Sequence, residues 1–371
     1  MKYFSCLSEK EKKELFYKEP ENLSKDDNKD ILAYALGATL YMPGIRDSIG
    51  TDIIDKKIKG LASVIICLED SIGDNSVEKG LKNATAQLNK IHEALEKGIL
   101  DKEDIPFIFV RIRNLDQMQF ISKILKEKIS LLTGFVIPKF SNVCGESYLN
   151  EIEKINNKYK ISLYAMPVIE TKDSIYLENR VKYINELKSV IDKHKHLILN
   201  VRIGAADFSS LFGIRRSVEN TIYDVLVVKD CLSAIFNTFG RYEDDYVISG
   251  PVWEYFIKNK VDKKYYTKQP ILGLIKEALL DKENGLVGKT VIHPSQIIPI
   301  QALQVVTYEE YMDAYDIINN EKNNGVISSV YKNKMNEIKP HLNWARKIIK
   351  KSYIYGVYNE NKCYKDLLEK E

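Results

Sequence analysis

Seven short apolar runs in this chain end in groups able to hold an anion, a cation or a proton. The first ends in Pro43-Gly44 with Arg46 just beyond, and the second in Glu69-Asp70. The third carries Arg111 and Arg113, two apart and so on one face of a strand. The fourth ends in Lys139, the fifth in Glu170, the sixth leads through a small-residue turn to Asp207, and the last ends in His293. Each residue has a plain structural reading. Glu170 suits a helix N-terminus, Asp207 an N-cap for "FSSLFG", and Arg111 and Arg113 suit ion pairs with Glu69 and Asp70. Their recurrence at the same end of the same kind of element argues for chemistry instead. Two carboxylates on adjacent strands, with no His or Cys beside them, make a hard oxygen site that suits Mg²⁺, completed by waters and a bidentate substrate. A divalent ion and an arginine together can hold a 2-oxo acid and stabilise its enolate. The reaction class is carbon–carbon bond cleavage or formation beside a carboxylate.

Positioning such a set requires repeated strands. The apolar runs are 38–44, 62–70, 106–113, 134–139, 162–170, 197–204, 245–250 and 289–294. Several are apolar almost throughout, as parallel strands covered on both faces should be. Between them, Leu81, Ala84, Leu88, Ile91 and Leu95 recur at helical spacing, as do Ile222, Val225, Leu226, Leu232, Ile235, Phe236 and Phe239. Eight strands alternating with helices predict an α/β fold, a (β/α)8 TIM barrel with its chemistry at the C-terminal strand ends. A doubly wound sheet is the alternative, weakened by the lack of a GxGxxG after the first run. Residues 1–35 read as a charged helical lead-in, 36–305 as the barrel and 306–371 as a C-terminal helical extension. The extension opens on a capping box, Thr307 with Glu310. Pro340 is expected to interrupt its second helix.

The composition fits this. The chain has 371 residues, 44% of them hydrophobic, and 55 basic against 52 acidic side chains give a net charge of only +3. That balance argues against nucleic acid as a partner and leaves a small-molecule substrate. Five scattered cysteines without a CxxC pair read as free thiols in a reducing compartment. With no signal-like start and no apolar run of membrane-spanning length, a soluble cytoplasmic protein is expected, with no membrane partner.

In order along the chain, "LYMPGIR", "VIICLED", "FVRIR", "GFVIPK", "PVIET", "RIGAADFSSLFG" and "GKTVIHPSQI" resemble the successive motifs of the HpcH/HpaI aldolase and citrate lyase β-subunit superfamily. They cover roughly 38 to 300, and the longer chain is similar to the C–C-bond-lyase branch in particular. The resemblance implies that Glu170 and Asp207 ligate Mg²⁺, that Arg111 holds the substrate carboxylate, and that Glu69 and Asp70 lie near the metal water and substrate. It also implies a homo-oligomer, a trimer or hexamer. Departures lie in the cations. Arg113 stands where relatives carry Asn, Arg215 and Arg216 follow "SSLFG", and Ser249 stands where many carry an acid. Arg46, Arg113, Lys139, Arg215 and Arg216 are the candidate substrate-binding cations, and they point to a polycarboxylic or phosphorylated substrate. His293, with Pro294 and Gln296, reads as an architectural turn or a catalyst. The alternatives to a Mg²⁺-dependent lyase are a thioester hydrolase on the same barrel and a barrel that binds a metabolite without turning it over.

Overall fold

The computed structural model describes residues 1–258, 265–323 and 325–370. Strand β1 (Phe16–Lys18) lies outside the barrel. The barrel strands are β2 (Ala38–Pro43), β3 (Ser63–Cys67), β4 (Phe107–Arg111), β5 (Gly134–Ile137), β6 (Tyr164–Ile169), β7 (Arg202–Ile203) and β8 (Lys289–Val291). They form one parallel sheet in the order β7-β6-β5-β4-β3-β2-β8. Strands β3, β4 and β5 are buried at every position, which explains their unbroken apolar sequence.

The run 245–250 closes the ring without forming a regular strand. Val201 is bridged to Ile248 and Gly250 to Lys289, both parallel. Ser249 N–H donates to Val201 O at 3.1 Å, and Gly250 N–H to Gly288 O at 3.0 Å. All eight runs therefore take part in a closed barrel, and the doubly wound alternative falls away. Helices such as Val77–Glu96 and Leu226–Phe239 cover the outside, burying Ala84, Leu88 and Ile91 in the first and Leu232, Ile235 and Phe239 in the second.

Residues Met1, Tyr3, Phe4, Leu7 and Leu15 join the barrel core, and Phe16 of β1 pairs with Tyr358 of a terminal strand, so the two chain ends are tied together. Past the barrel, Thr307 and Glu310 form the expected capping box on helix Tyr308–Asn319. That helix packs on Ile338–Tyr355 through Ala314, Ile317, Ala345 and Ile348. Pro340 does not interrupt the second helix. It falls in the first turn, where its missing N–H has no intrahelical partner to lose. Among the described residues no helix is long and apolar enough to cross a membrane.

Candidate active site

The C-terminal strand ends gather the acids and bases as the barrel requires. Glu69 and Asp70 follow β3, Arg111 ends β4, Lys139 lies two residues past β5, and Glu170 follows β6. Gly204 follows β7 and opens the short helix Ala205–Leu211, which carries Asp207 in its first turn.

Arg111 is buried, and one of its nitrogens, Nη2, reaches three carboxylates. It lies 2.6 Å from Glu69 Oε2 and 3.1 Å from both Asp70 Oδ2 and Glu170 Oε1. Lys139 serves the same acids twice. Its ammonium bonds Glu69 Oε1 and lies 3.4 Å from Asp70 Oδ1, while its backbone N–H donates to Glu170 Oε1 at 2.8 Å. Burial opposes ionisation of Glu69, yet bonds from Asp70, Arg111 and Lys139 hold its carboxyl down at about 2. Burial and the shared bond and charge of Glu69 raise Asp70, so a proton in this pair resides on Asp70.

Glu170 is the most constrained of the acids. Its Oε1 is engaged twice, but its buried Oε2 has no hydrogen-bond partner. Burial, opposed by Arg111, pushes the carboxyl up to about 8, and the charge of Asp207 adds to the rise. Gly204 shows how close Asp207 comes. A Cβ at Gly204 would stand 2.3 Å from Glu170 Oε2 and 3.1 Å from Asp207 Oδ2. The two oxygens are thus no further apart than the sum of those distances, about 5.4 Å, and a small side-chain shift lets one ion with bonds of about 2.1 Å bridge them. Glycine is needed at 204 because both carboxylates converge where a side chain would be. Among the described residues no group of three or more His, Cys, Asp or Glu side chains is placed to hold one ion. The protein side of a metal site here is two carboxylates. With Glu69, Asp70, Glu170 and Asp207 all ionised, the cluster carries two more negative than positive charges, Arg111 and Lys139 being its cations.

The remaining predicted cations are placed differently. Arg46 binds Asp52 at 2.6 Å and Ser48 at 3.0 Å. Arg113 binds Asp74 at 2.5 Å and reaches Glu69 O at 3.4 Å, so it borders the acid cluster without entering it. Arg215 is exposed. Arg216, expected beside the substrate, is instead buried: it bonds Glu254 at 2.7 Å and Glu277, and lies over the Trp253 ring. Glu277 in turn holds Lys289, which also bonds Asp281 at 2.6 Å. This charged layer braces the loop after Asp207 against β8 and has no free valence for a substrate. His293 accepts from Ser295 N–H, and Gln296 ties Ile292, Trp253 and Tyr255, so the "IHPSQ" segment forms a hydrogen-bonded turn. Ser249 donates to Val287 O at 2.8 Å within the barrel closure.

Two residues beyond the expected set also lie here. Tyr41 of β2 is half-buried with the Arg111 guanidinium 6.0 Å from its ring centre. Arg202 of β7 is 1% exposed and donates to Thr290 Oγ1 at 2.6 Å. An arginine in an otherwise apolar strand, two residues before the site glycine, was the available signal for it. A cavity of about 890 Å³ lies at the opposite pole, beside His92, Phe107 and Leu131, and contains none of these residues.

A family model described as a C–C bond lyase of the TIM-barrel fold matches residues 30–357. No curated protein matches the chain in sequence. Among solved structures, a citrate lyase from Burkholderia xenovorans LB400 is similar, with a TM-score of 0.60 and 14% identity, over 85% of this chain and 91% of that one. The CitE protein of Mycobacterium tuberculosis, in complex with magnesium, acetoacetate and coenzyme A, is similar with a TM-score of 0.52 and 17% identity, over 86% of this chain and 99% of that one.

Proposed function

The chain belongs to the C–C bond lyase family of the TIM-barrel fold, and from that premise we propose that it is a Mg²⁺-dependent lyase or aldolase acting on a 2-oxo-acid-derived, polycarboxylic substrate. One observation carries the reading. Glu170 has one oxygen locked by Arg111 and the Lys139 N–H, while the other is buried, unpartnered and turned toward Asp207 across Gly204. An ionised carboxylate oxygen in that position is costly to bury unless a cation meets it, and without one the group takes up a proton instead. The magnesium of the CitE complex, on the same fold, supports the choice of ion.

Glu170 and Asp207 would hold the ion, and water or substrate oxygens would complete its shell. A divalent ion held there would supply the charge that polarises a carbonyl and stabilises developing enolate character in carbon–carbon cleavage. The chain's own residues do the rest. Arg111 fixes the Glu170 carboxylate and would offer the rest of its guanidinium to a substrate carboxylate. Lys139 holds Glu69 ionised. Asp70, half exposed with its proton affinity raised, is placed to pass a proton at the mouth. The pairing of Arg216 removes its support for a phosphorylated substrate. The homo-oligomer, a trimer or hexamer, remains part of this proposal.

The test is release of pyruvate, oxaloacetate or glyoxylate from a panel of hydroxy acids, with and without Mg²⁺. Metal-dependent release that Arg111→Lys abolishes, while Mg²⁺ still binds, is the expected result, since a planar fork grips a carboxylate as an ammonium does not. No Mg²⁺ or Mn²⁺ binding to the wild-type protein would overturn the reading.

A further inference from the structure

Arg202 is buried without an acid. Among the described residues, the other buried arginines each have a carboxylate: Arg111 has Glu69, Asp70 and Glu170, Arg180 has Asp230, and Arg216 has Glu254 and Glu277. Arg202 has the Thr290 hydroxyl at 2.6 Å, the Met166 sulfur at 3.9 Å and the Tyr41 hydroxyl beside it, but no carboxylate, and its Nε has no partner. A buried lysine can escape this situation by losing its proton, but a guanidinium keeps its charge. A buried charge that stays unpaired is strongly disfavoured, so a fold that keeps one has a use for it.

Its place in the barrel indicates the use. Val168 and Arg202 are register partners, and Glu170 and Gly204 each lie two residues further on. Arg202 therefore shares the inward face with the Glu170–Asp207 pair, one layer below it. Two residues of strand span about 6.6 Å, the scale of a four-carbon chain. Thr290 and Tyr41, which adjoin the guanidinium, are both partly exposed, so Arg202 lies one side chain beneath the open mouth. Charge agrees with position. A divalent ion balances the acid cluster above, and the guanidinium below is left to receive an anion.

Resting on the function proposed above, we propose that Arg202, oriented by Thr290, receives a second carboxylate of the substrate, remote from the end held at Glu170 and Asp207. It is a specificity residue that selects a four-carbon dicarboxylic acid over a monocarboxylic one.

Malate and lactate are stable 2-hydroxy acids that differ in that second carboxylate. Both are titrated calorimetrically into Mn²⁺-loaded protein. The wild type is expected to prefer malate by about tenfold or more, the scale of a charge-assisted bond. Arg202→Met should equalise the two ligands, leave lactate and Mn²⁺ affinity unchanged and not lower Tm, because an apolar isostere replaces an unpaired charge. Thr290→Val should narrow the preference with the fold intact, and Arg202→Lys should retain part of it. Equal wild-type affinities overturn the proposal. So does an Arg202→Met protein with lower Tm that loses both ligands and Mn²⁺ together, which would make Arg202 a barrel brace. If the Met variant does not fold, an unchanged malate-to-lactate ratio in Thr290→Val and Arg202→Lys overturns it. Failure of the metal reading is separate: it shows as absent Mn²⁺ binding, and Arg202-dependent malate binding without metal would survive it.

Discussion

The backbone N–H of Lys139 donates to Glu170 Oε1 at 2.8 Å, and it reaches that oxygen because Lys139 adopts a left-handed conformation with φ 46°. The backbone strain at one strand end thus orients the carboxylate of the next. It also separates two roles of Lys139, since the ammonium serves Glu69 and the backbone serves Glu170.

Substitutions at 139 should divide those roles. Lys139→Gly adopts the left-handed backbone freely and should keep Mn²⁺ affinity while losing turnover. Lys139→Val, whose β-branched side chain tolerates the left-handed region less well than lysine, should weaken Mn²⁺ binding as well. Titration of Mn²⁺ followed by electron paramagnetic resonance reads the difference. Equal Mn²⁺ affinity in the two variants would show that the backbone bond does not orient Glu170.

Gly204→Ala should lower divalent-ion affinity by about a hundredfold with the fold retained. The added methyl would stand 2.3 Å from Glu170 Oε2, forcing that carboxylate out of position. Circular dichroism controls for folding, and unchanged Mn²⁺ affinity would refute the placement of the ion.

Metal binding should depend on pH through Glu170. Its folded carboxyl lies at about 8, above an ordinary 4.5, so an incoming ion must displace a proton over much of the neutral range. Affinity should rise by up to about tenfold per pH unit below about 8 and level off above it. Calorimetry in buffers of different ionisation enthalpy should show one proton released at pH 6 and almost none at pH 9. Glu170→Gln should remove both the release and most of the affinity.

Lys351 makes a different pH dependence, in stability. It is buried beside Lys282 and Glu310, and burial lowers it from 10.5 to about 7. Between those values the unfolded chain binds the proton and the folded one does not, so this group's contribution to stability rises with pH across that window. Lys351→Met should raise Tm at pH 7 by several degrees and flatten the rise between pH 7 and 10. A variant less stable than wild type at pH 7 would contradict this.

Arg216→Ala tests the bracing layer. Removing it takes one of two cations from the buried Glu277, which keeps Lys289 at 2.9 Å and the Ile222 N–H at 2.7 Å, and should cost about 1.5–3 kcal/mol in urea unfolding, while Mn²⁺ affinity in the folded protein stays near wild type. Loss of binding without loss of stability would return Arg216 to the active site.

The barrel was legible because its evidence is local. A strand covered on both faces must be apolar along its length, so the eight runs could be found one at a time. Chemistry collects at their C-terminal ends, so reading the residues at and just past the end of each run was enough to find Glu69, Asp70, Arg111, Lys139, Glu170 and Asp207 as candidates. The seven motifs, read in order, also pointed to the family.

Tertiary structure decided everything that depends on a partner distant in the chain. Arg215 and Arg216 are neighbours in sequence, yet one is exposed and the other is buried against acids 38 and 61 residues away. Ring closure rests on two isolated bridges at 248 and 250, which periodicity has no means of registering. Pro340 terminates no helix because the helix begins just before it. Arg202 drew no attention in a strand otherwise apolar, and only the packed barrel shows it to be, among the described residues, the buried guanidinium without an acid. Hydrophobic pattern is set residue by residue along a strand. Charge pairing is set by which side chains the closed barrel brings within a few ångströms, and spacing along the chain does not encode that.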